Sequence, residues 1–321
     1  MTNKRKHIEK EKSNKAITTT IGLALGSGSA RGWAHIGVIR ALQEIGVTPH
    51  IVCGCSAGSL VGGAYAAGYL DDLEAWLKTL TKTKVASFFD FQFRGGGLIA
   101  GERLVTFFRN EFGDVLIEDL PIPYAAVATD IETGREIWFR SGSLLDAVRA
   151  SISLPGIFAP VKAGNRWLID GGVVNPIPVS VCRAMDADIV IAVNLNGGLV
   201  GRHGVQKKRD TDDKGKEAEN DFTSRVKKGF RNSVDMMLSQ VWNSDEAAPG
   251  LFDVMAGSVN IMQDRITKSR MAGDPPDIFI TPTLDYLGLL EFHRVEEAIE
   301  EGNKAVHAVK SQIITAVSCG Q

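Results

Sequence analysis

Gly54-Cys55-Ser56-Ala57-Gly58 stands between a short apolar run, His50 to Cys53, and a small-residue stretch at helical spacing, Leu60 to Leu70. A G-x-S-x-G pentapeptide between a strand and a helix is the setting of a nucleophile elbow. The serine occupies a tight turn that pushes its hydroxyl out of the backbone, and the flanking glycines let the turn close without Cβ clashes. Ile51 to Leu70 also carries no charged residue, which formally reaches the length of a membrane span. Its glycines (Gly54, Gly58, Gly62, Gly63 and Gly68) and its β-branched start favour a strand, elbow and helix packed in a sheet.

Upstream, Thr18 to Leu25 reads as a buried strand, Gly26 to Gly32 as a glycine loop and Trp33 to Ile45 as a helix with Ile36, Ile39, Ala41 and Leu42 on one face. Strand, loop and helix N-terminus make an anion site, because N–H groups of the first turn lack intrahelical partners and the helix dipole adds to them. The anion is either a dinucleotide phosphate or the oxyanion of an acyl-transfer intermediate. A dinucleotide fingerprint anchored at Gly26 would need glycine where Arg31 stands, and the second strand lacks the expected acid at its end. Downstream, Trp167 to Asp170 is an apolar strand ending in an acid before Gly171-Gly172. An Asp before two glycines reads as a turn or, where strand ends of an open α/β sheet gather, as a partner for Ser56.

Together these stretches resemble the patatin-like phospholipase family. The resemblance rests on Gly26 to Val38, on the Gly54 to Gly58 elbow, on Arg149-Ala150-Ser151-Ile152-Ser153-Leu154-Pro155-Gly156-Ile157-Phe158 and on Asp170-Gly171-Gly172, running from about Ile21 to Asn194. It implies an α/β, patatin-like three-layer fold: a mostly parallel central sheet flanked by helices, with a C-terminal helical extension. It implies a Ser56–Asp170 dyad, an oxyanion hole at Ser27, Gly28 and Ser29, and supporting roles for Arg31, Gly54, Gly58, Gly171 and Gly172. Family members carry three consecutive glycines where this chain has Ser27, Gly28 and Ser29, although serine still supplies a backbone N–H. Fatty-acyl esters, phospholipids or lysophospholipids among them, are the implied substrates, with no cofactor and no metal.

Two other readings stay open. An α/β-hydrolase triad would draw its histidine from His203, His293 or His307, yet that fold places several strands before its elbow and only two fit before Ser56. A non-catalytic lipid-binding or regulatory protein would keep the fold and lose the oxyanion hole through Ser27 and Ser29. His35, inside a packed helix, and His50 read as hydrogen-bonded core residues. Cys53 and Cys55 stand two apart with no second pair, a weak zinc signal, and the remaining two of the 4 cysteines are isolated, as suits a reducing cytoplasm.

Composition agrees with an enzyme. A 321-residue chain with 44% hydrophobic and 23% charged residues can bury a full core, and a net charge of −2 leaves no nucleic-acid footprint. Residues 1–17 form a basic tail with the composition of disorder and no secretory signal, 18–200 the catalytic core, 201–232 a charged mobile insertion and 233–321 an extension packed on the core. The expected location is the cytoplasm, with the two basic segments giving weak peripheral attraction to anionic membrane surfaces. Apolar residues from Ser233 to Ile266 read as a helix pair over the core, Asp277 to Pro282 as a late strand and Phe292 to Ile314 as one closing amphipathic helix, on which His293 and His307 fall. Alternating βα units are expected throughout.

Overall fold

The computed structural model describes residues 19–88, 90, 97–198 and 251–319. The basic tail, the charged insertion, His203 and the first part of the expected helix pair lie outside the described residues.

The strands are β1 Ile21–Leu25, β2 Ile51–Cys55, β3 Gly97–Ile99, β4 Tyr124–Asp130, β5 Glu136–Phe139, β6 Gly156–Phe158, β7 Val161–Ala163, β8 Arg166–Asp170, β9 Ile189–Val193 and β10 Ile278–Ile280. The helices are α1 Ala34–Glu44, α2 Ala57–Ala66, α3 Leu70–Leu77, α4 Lys82–Ser87, α5 Glu102–Phe112, α6 Leu144–Ser151, α7 Val179–Ala184, α8 Leu251–Gly273, α9 Val295–Ala308 and α10 Lys310–Cys319. Hydrogen-bonded neighbours in the central sheet follow the path β10-β9-β1-β2-β4-β8-β7, with β2 and β8 sharing one edge of β4 and β5 on the other, while β3 and β6 pair separately.

Strand alternation sorts side chains of different size onto the two faces of this sheet. Leu23, Leu25, Val52, Tyr124, Ile191 and Val193 point to one face and build the large core. Ala24, Cys53, Cys55, Ala125, Val127 and Ala192 point to the other, a shallower layer closed by Val179, Val181 and Cys182 of α7. Small residues on that face let the covering helix approach closely, and burial on both faces explains the continuous apolar runs of β1, β2 and β9. The expected three-layer arrangement is therefore observed.

Two expectations need correction. The β10-β9-β1-β2-β4 half is parallel, but β5, β7 and β8 join antiparallel, so βα alternation does not run throughout. Beyond Thr129 the chain turns back by hairpins: Asp130 to Arg135 closes β4 on β5, and β7 returns directly into β8. The closing helix is also two helices, α9 and α10, broken at Val309, and His293 precedes α9 instead of lying on it. The stretch Ile51 to Leu70 forms β2, an elbow and α2, and no helix among the described residues is long and apolar enough to cross a membrane.

α9 crosses α1 at backbone contact. A Cβ on Gly37 would lie 1.8 Å from the Ile299 carbonyl oxygen, and one on Gly302 2.0 Å from that of Ala34. Glycine at both crossing points lets α9 lie directly on α1. Gly302→Val should force the helices apart and lower unfolding free energy by about 1–3 kcal/mol, the cost of overpacking. Urea denaturation measures it, and an unchanged midpoint would mean that the helices do not cross this closely.

Candidate active site

Ser56 sits where β2 gives way to α2, with φ 55° and ψ −124°. A side chain rarely adopts that conformation, and residues held so cost on the order of 1–3 kcal/mol each. The turn closes because Gly54 and Gly58 have no side chains: a Cβ on Gly54 would lie 2.4 Å from the Gly58 carbonyl oxygen, and one on Gly58 2.2 Å from that of Leu25. Ser151 holds the turn from α6. Its Oγ accepts from the Ser56 N–H at 2.9 Å and donates to the Val127 carbonyl at 2.6 Å. α2 begins at Ala57, so the positive end of its dipole faces the serine.

Asp170 reaches Ser56 by strand register. On one edge of β4, β2 pairs up to Cys55 beside Val127. β5 occupies the opposite edge over Ala126 to Thr129, so β8, which pairs Asp170 with Ala128, continues the β2 edge from the other direction. The C-terminal ends of β2 and β8 thus meet head to head at Val127 and Ala128. The sequence reading placed Asp170 among parallel strand ends on one side of the sheet; the acid in fact arrives on an antiparallel strand.

The Asp170 carboxyl is fully buried. Its Oδ1 accepts from the Gly172 N–H at 2.7 Å, and the Cys55 thiol lies 3.9 Å away. Its backbone is pinned as well, with N–H donating to the Ser153 carbonyl at 2.9 Å and C=O accepting from Thr129 Oγ1 at 2.9 Å. Burial pushes the carboxyl up to about 6, partly offset by the Ser56 hydroxyl, the Gly172 N–H and Cys55. Oδ2 has no partner with full hydrogen-bond geometry among the described residues. The Ser56 hydroxyl is near enough to favour the charged carboxylate. A carboxyl titrating near neutrality can take up and return a proton.

The glycine loop passes on the other side of the serine. Gly26 N–H donates to Val193 O at 3.1 Å, Ser27 N–H to Pro176 O at 2.8 Å and Ala30 N–H to Leu289 O at 3.1 Å. The N–H groups of Gly28 and Ser29 between them have no acceptor among the described residues. Ser29, at φ 52°, is fixed by its own hydroxyl on Leu289 O at 2.6 Å. His35 braces the loop from below: its Nε2 donates to Gly26 O at 2.8 Å, and burial pushes the imidazole down to about 4, so it is neutral. His50 likewise serves the backbone, its Nδ1 accepting from the Ile21 N–H at 3.0 Å.

Arg31 follows this loop but is itself buried, and desolvation draws its guanidinium down to about 10. Nη2 donates to Asn260 Oδ1 of α8 at 3.1 Å, while Nε and Nη1 have no partner among the described residues. Gly171 and Gly172 follow Asp170 in a short helical turn. Gly171 lies flat on the Val127 carbonyl, where a Cβ would come within 2.3 Å.

Ser56 and the glycine loop open onto a cavity whose empty space, open mouth included, is about 990 Å³. Ser27, Gly28, Ser29 and Ser56 line one end, and Trp76, Phe88, Leu104 and Phe108 belong to the apolar remainder. Several contributors escaped the sequence reading. Ser151 and Ser153 were visible only as part of a family-like stretch, and Arg149 supports them by donating to Ser153 Oγ at 2.7 Å. Gln263 and Asn196 carried no motif signal. No histidine among the described residues lines the cavity: His307 pairs at 3.6 Å with Glu44 on the outer surface, and His293 lies outside the lining.

Comparison with known proteins agrees with this architecture. The family model described as patatin-like phospholipase matches residues 23–183. An "Uncharacterized NTE family protein" of Mycobacterium tuberculosis (strain ATCC 25618 / H37Rv) is 35% identical over 331 residues, covering 88% of this chain and 89% of its own. A patatin-like phospholipase domain-containing protein of Caenorhabditis elegans is 39% identical over 188 residues, 54% of this chain and 13% of its own. Patatin-like phospholipase domain-containing protein 6 of Mus musculus is 36% identical over 184 residues, 55% of this chain and 13% of its own. A family match over half the chain, joined to a relative similar along most of both lengths, settles the assignment: this chain belongs to the patatin-like phospholipase family.

Proposed function

We propose that the protein is a serine acyl hydrolase that cleaves fatty-acyl esters, of the phospholipase A or lysophospholipase type, with Ser56 as nucleophile and Asp170 as its base. The observation that carries this reading is the meeting of a strained, cavity-facing serine with a buried carboxyl across the β2–β8 junction. In the first step Ser56 Oγ attacks the ester carbonyl carbon and its proton passes to Asp170. The carbonyl oxygen becomes an oxyanion next to the free N–H groups of Gly28 and Ser29, each such donor being worth about 10²–10³ in rate. Collapse expels the alcohol, which takes the proton from Asp170 and leaves an acyl-Ser56 ester. Water then attacks that ester, gives a proton to Asp170, and release of the fatty acid returns the proton to Ser56.

A dyad without histidine needs a carboxylate of raised basicity, and burial supplies it. The apolar cavity suits an acyl chain. The Ser-His-Asp alternative finds no support among the described residues, where no histidine borders the cavity. The non-catalytic alternative is disfavoured because the N–H groups of Gly28 and Ser29 have no acceptor among the described residues, although that of Ser27, expected as a third donor, is taken by the Pro176 carbonyl.

Ser56→Ala should lower kcat on p-nitrophenyl acyl esters by roughly three decades or more and abolish fluorophosphonate labelling at this residue, with the fold intact. His293→Ala and His307→Ala should retain wild-type kcat. Wild-type turnover in the Ser56 variant would end the nucleophile assignment; loss in either histidine variant, with the fold verified, would favour the triad.

Asp170 predicts opposite effects on activity and stability. Only the ionised carboxyl accepts the serine proton, so kcat/KM should decline as pH falls through about 6. The folded value stands above the ordinary 3.8, so the fold favours the protonated form. That share of stability is complete below the ordinary value and is lost as pH rises through about 6, up to about 3 kcal/mol in all. Asp170→Asn keeps the acceptor for Gly172 and removes the charge. It should depress kcat by several decades yet melt higher than wild type at mildly alkaline pH. A kcat/KM profile flat down to about pH 5 would count against Asp170 as base.

A further inference from the structure

α8 crosses the site with a mixed inward side, on which Val259 and Met271 pack against the core beside polar residues. Val254, Ile261 and Met262 are exposed, whereas Gln263, Asp264 and Thr267 are buried. Besides this apolar packing, polar contacts at Asn260, Gln263 and Arg270 tie the helix to the rest of the molecule, at offsets that place them along one side. Asn260 takes Arg31. Arg270 reaches Val174 O at 2.7 Å and Glu136 Oε2 at 2.9 Å. Gln263 alone of the three enters the cavity, beside Ser27, Gly28 and Ser56.

Chemistry fixes the orientation of its amide. Asn196 Nδ2 lies 3.4 Å from the Ser27 carbonyl, which can only accept, so that atom is a nitrogen. The same Nδ2 donates at 2.8 Å to Gln263 Oε1. Gln263 therefore turns Nε2 toward Ser27 Oγ, 3.1 Å away, and donates to it. Asn196 is held in turn by its N–H on Asn194 Oδ1 at 3.0 Å. The chain Asn194–Asn196–Gln263–Ser27 ends on the loop whose next two N–H groups have no acceptor among the described residues. It also ends beside the carboxyl: a Cβ on Gly172 would stand 2.4 Å from Gln263 Nε2, 3.0 Å from Asp170 Oδ1 and 3.1 Å from Ser27 Oγ, so the three converge on one point.

We propose that Gln263 is a positioning residue which, by hydrogen-bonding the Ser27 hydroxyl, fixes the Gly28–Ser29 donors against the Ser56–Asp170 pair. The proposal rests on the acyl-hydrolase reading above. The Ser27 hydroxyl gives α8 a handle on a loop that a glycine at this position would leave unattached on that side. Docking of α8 does not need Gln263, since Asn260 and Arg270 tie it independently. Loss of the handle should therefore blunt the donors' alignment, which is felt only as the oxyanion forms, and should fall on kcat more than on KM.

The test is a double-mutant cycle on a p-nitrophenyl acyl ester, with Gln263→Met, Ser27→Gly and the combined variant, each checked by thermal melting. Gln263→Met keeps length and removes the donor; it should lower kcat about 10- to 100-fold with KM little changed, the range for groups that orient reacting ones. In the Ser27→Gly background the same change should add almost nothing, because the group it acts through is gone. Gln263→Glu provides the same information should the Met variant fail to fold. It keeps the oxygen facing Asn196, loses the donor and sets a second carboxylate near Asp170, so kcat should fall and the acid limb of kcat/KM should move to higher pH. Wild-type kcat in Gln263→Met, a loss confined to KM, or full multiplicative losses in the combined variant would each overturn the proposal. Failure of the wild type itself to hydrolyse esters or label at Ser56 would instead bring down the acyl-hydrolase reading, and the proposal with it.

Discussion

Everything at the site depends on two strands meeting end to end along one edge of β4. β2 comes up that edge with Ser56 at its tip, and β8 comes down it with Asp170 at its tip. The register of each strand on β4 sets the separation of the two side chains, so neither loop has to be ordered by substrate to bring them together. Register is among the more strongly specified features of a buried sheet, because a slip by one residue would turn every core side chain outward. The shallow face of the sheet adds to this constraint: Cys55 and Val127 pack there beneath the junction, and either one displaced would move Ser56 or Asp170.

That placement is costly, and the cost identifies what the remainder of the core must hold. Ser56 occupies a strained backbone conformation, and Asp170 is a fully buried carboxyl with no cation paired to it among the described residues. Each opposes folding by on the order of 1–3 kcal/mol, a substantial share of the roughly 5–15 kcal/mol by which domains are stable. The large layer of Leu, Ile and Val side chains on the opposite face, closed by the glycine-to-backbone crossing of α1 and α9, supplies the stability against which this strain is held.

Local patterns revealed the parts of the molecule that local physics controls. The elbow, the loop after β1 and the acid before two glycines each follow from turn geometry and helix-end electrostatics, and each stands in the structure where its pattern put it. What remained hidden depends on pairing over long sequence separations. Nothing within Arg166 to Asp170 distinguishes an antiparallel strand from a parallel one, since both faces are partly buried and the run is apolar in either case. Ser151 and Ser153 are ordinary helix-end residues until the fold sets their oxygens against Ser56 and Asp170. α8 misled for a different reason. Hydrophobic spacing does not say which of a helix's apolar residues face inward: Val259 and Met271 pack on the core, whereas Ile261 and Met262 face out and Gln263 takes an inward place at the site.

Arg31 shows how the same carboxyl would have been spoiled by a modest rearrangement. The glycine loop carries a cation within a short chain distance of the serine, and a guanidinium beside Asp170 would stabilise its ionised form and pull its pKa down by about 1–3 units. A carboxylate so stabilised would be a poorer base for a neutral hydroxyl. Here the guanidinium is instead turned to Asn260 of α8, and Asp170 is influenced by burial and by three hydrogen-bonding neighbours. Burying an arginine with two nitrogens unsatisfied among the described residues is expensive. Its compensation is geometric: one end of the loop is tied to α8 through Arg31 and the other through Ser27, so the Gly28 and Ser29 N–H groups, without an acceptor among the described residues, are held from both sides while the carboxyl keeps its raised basicity.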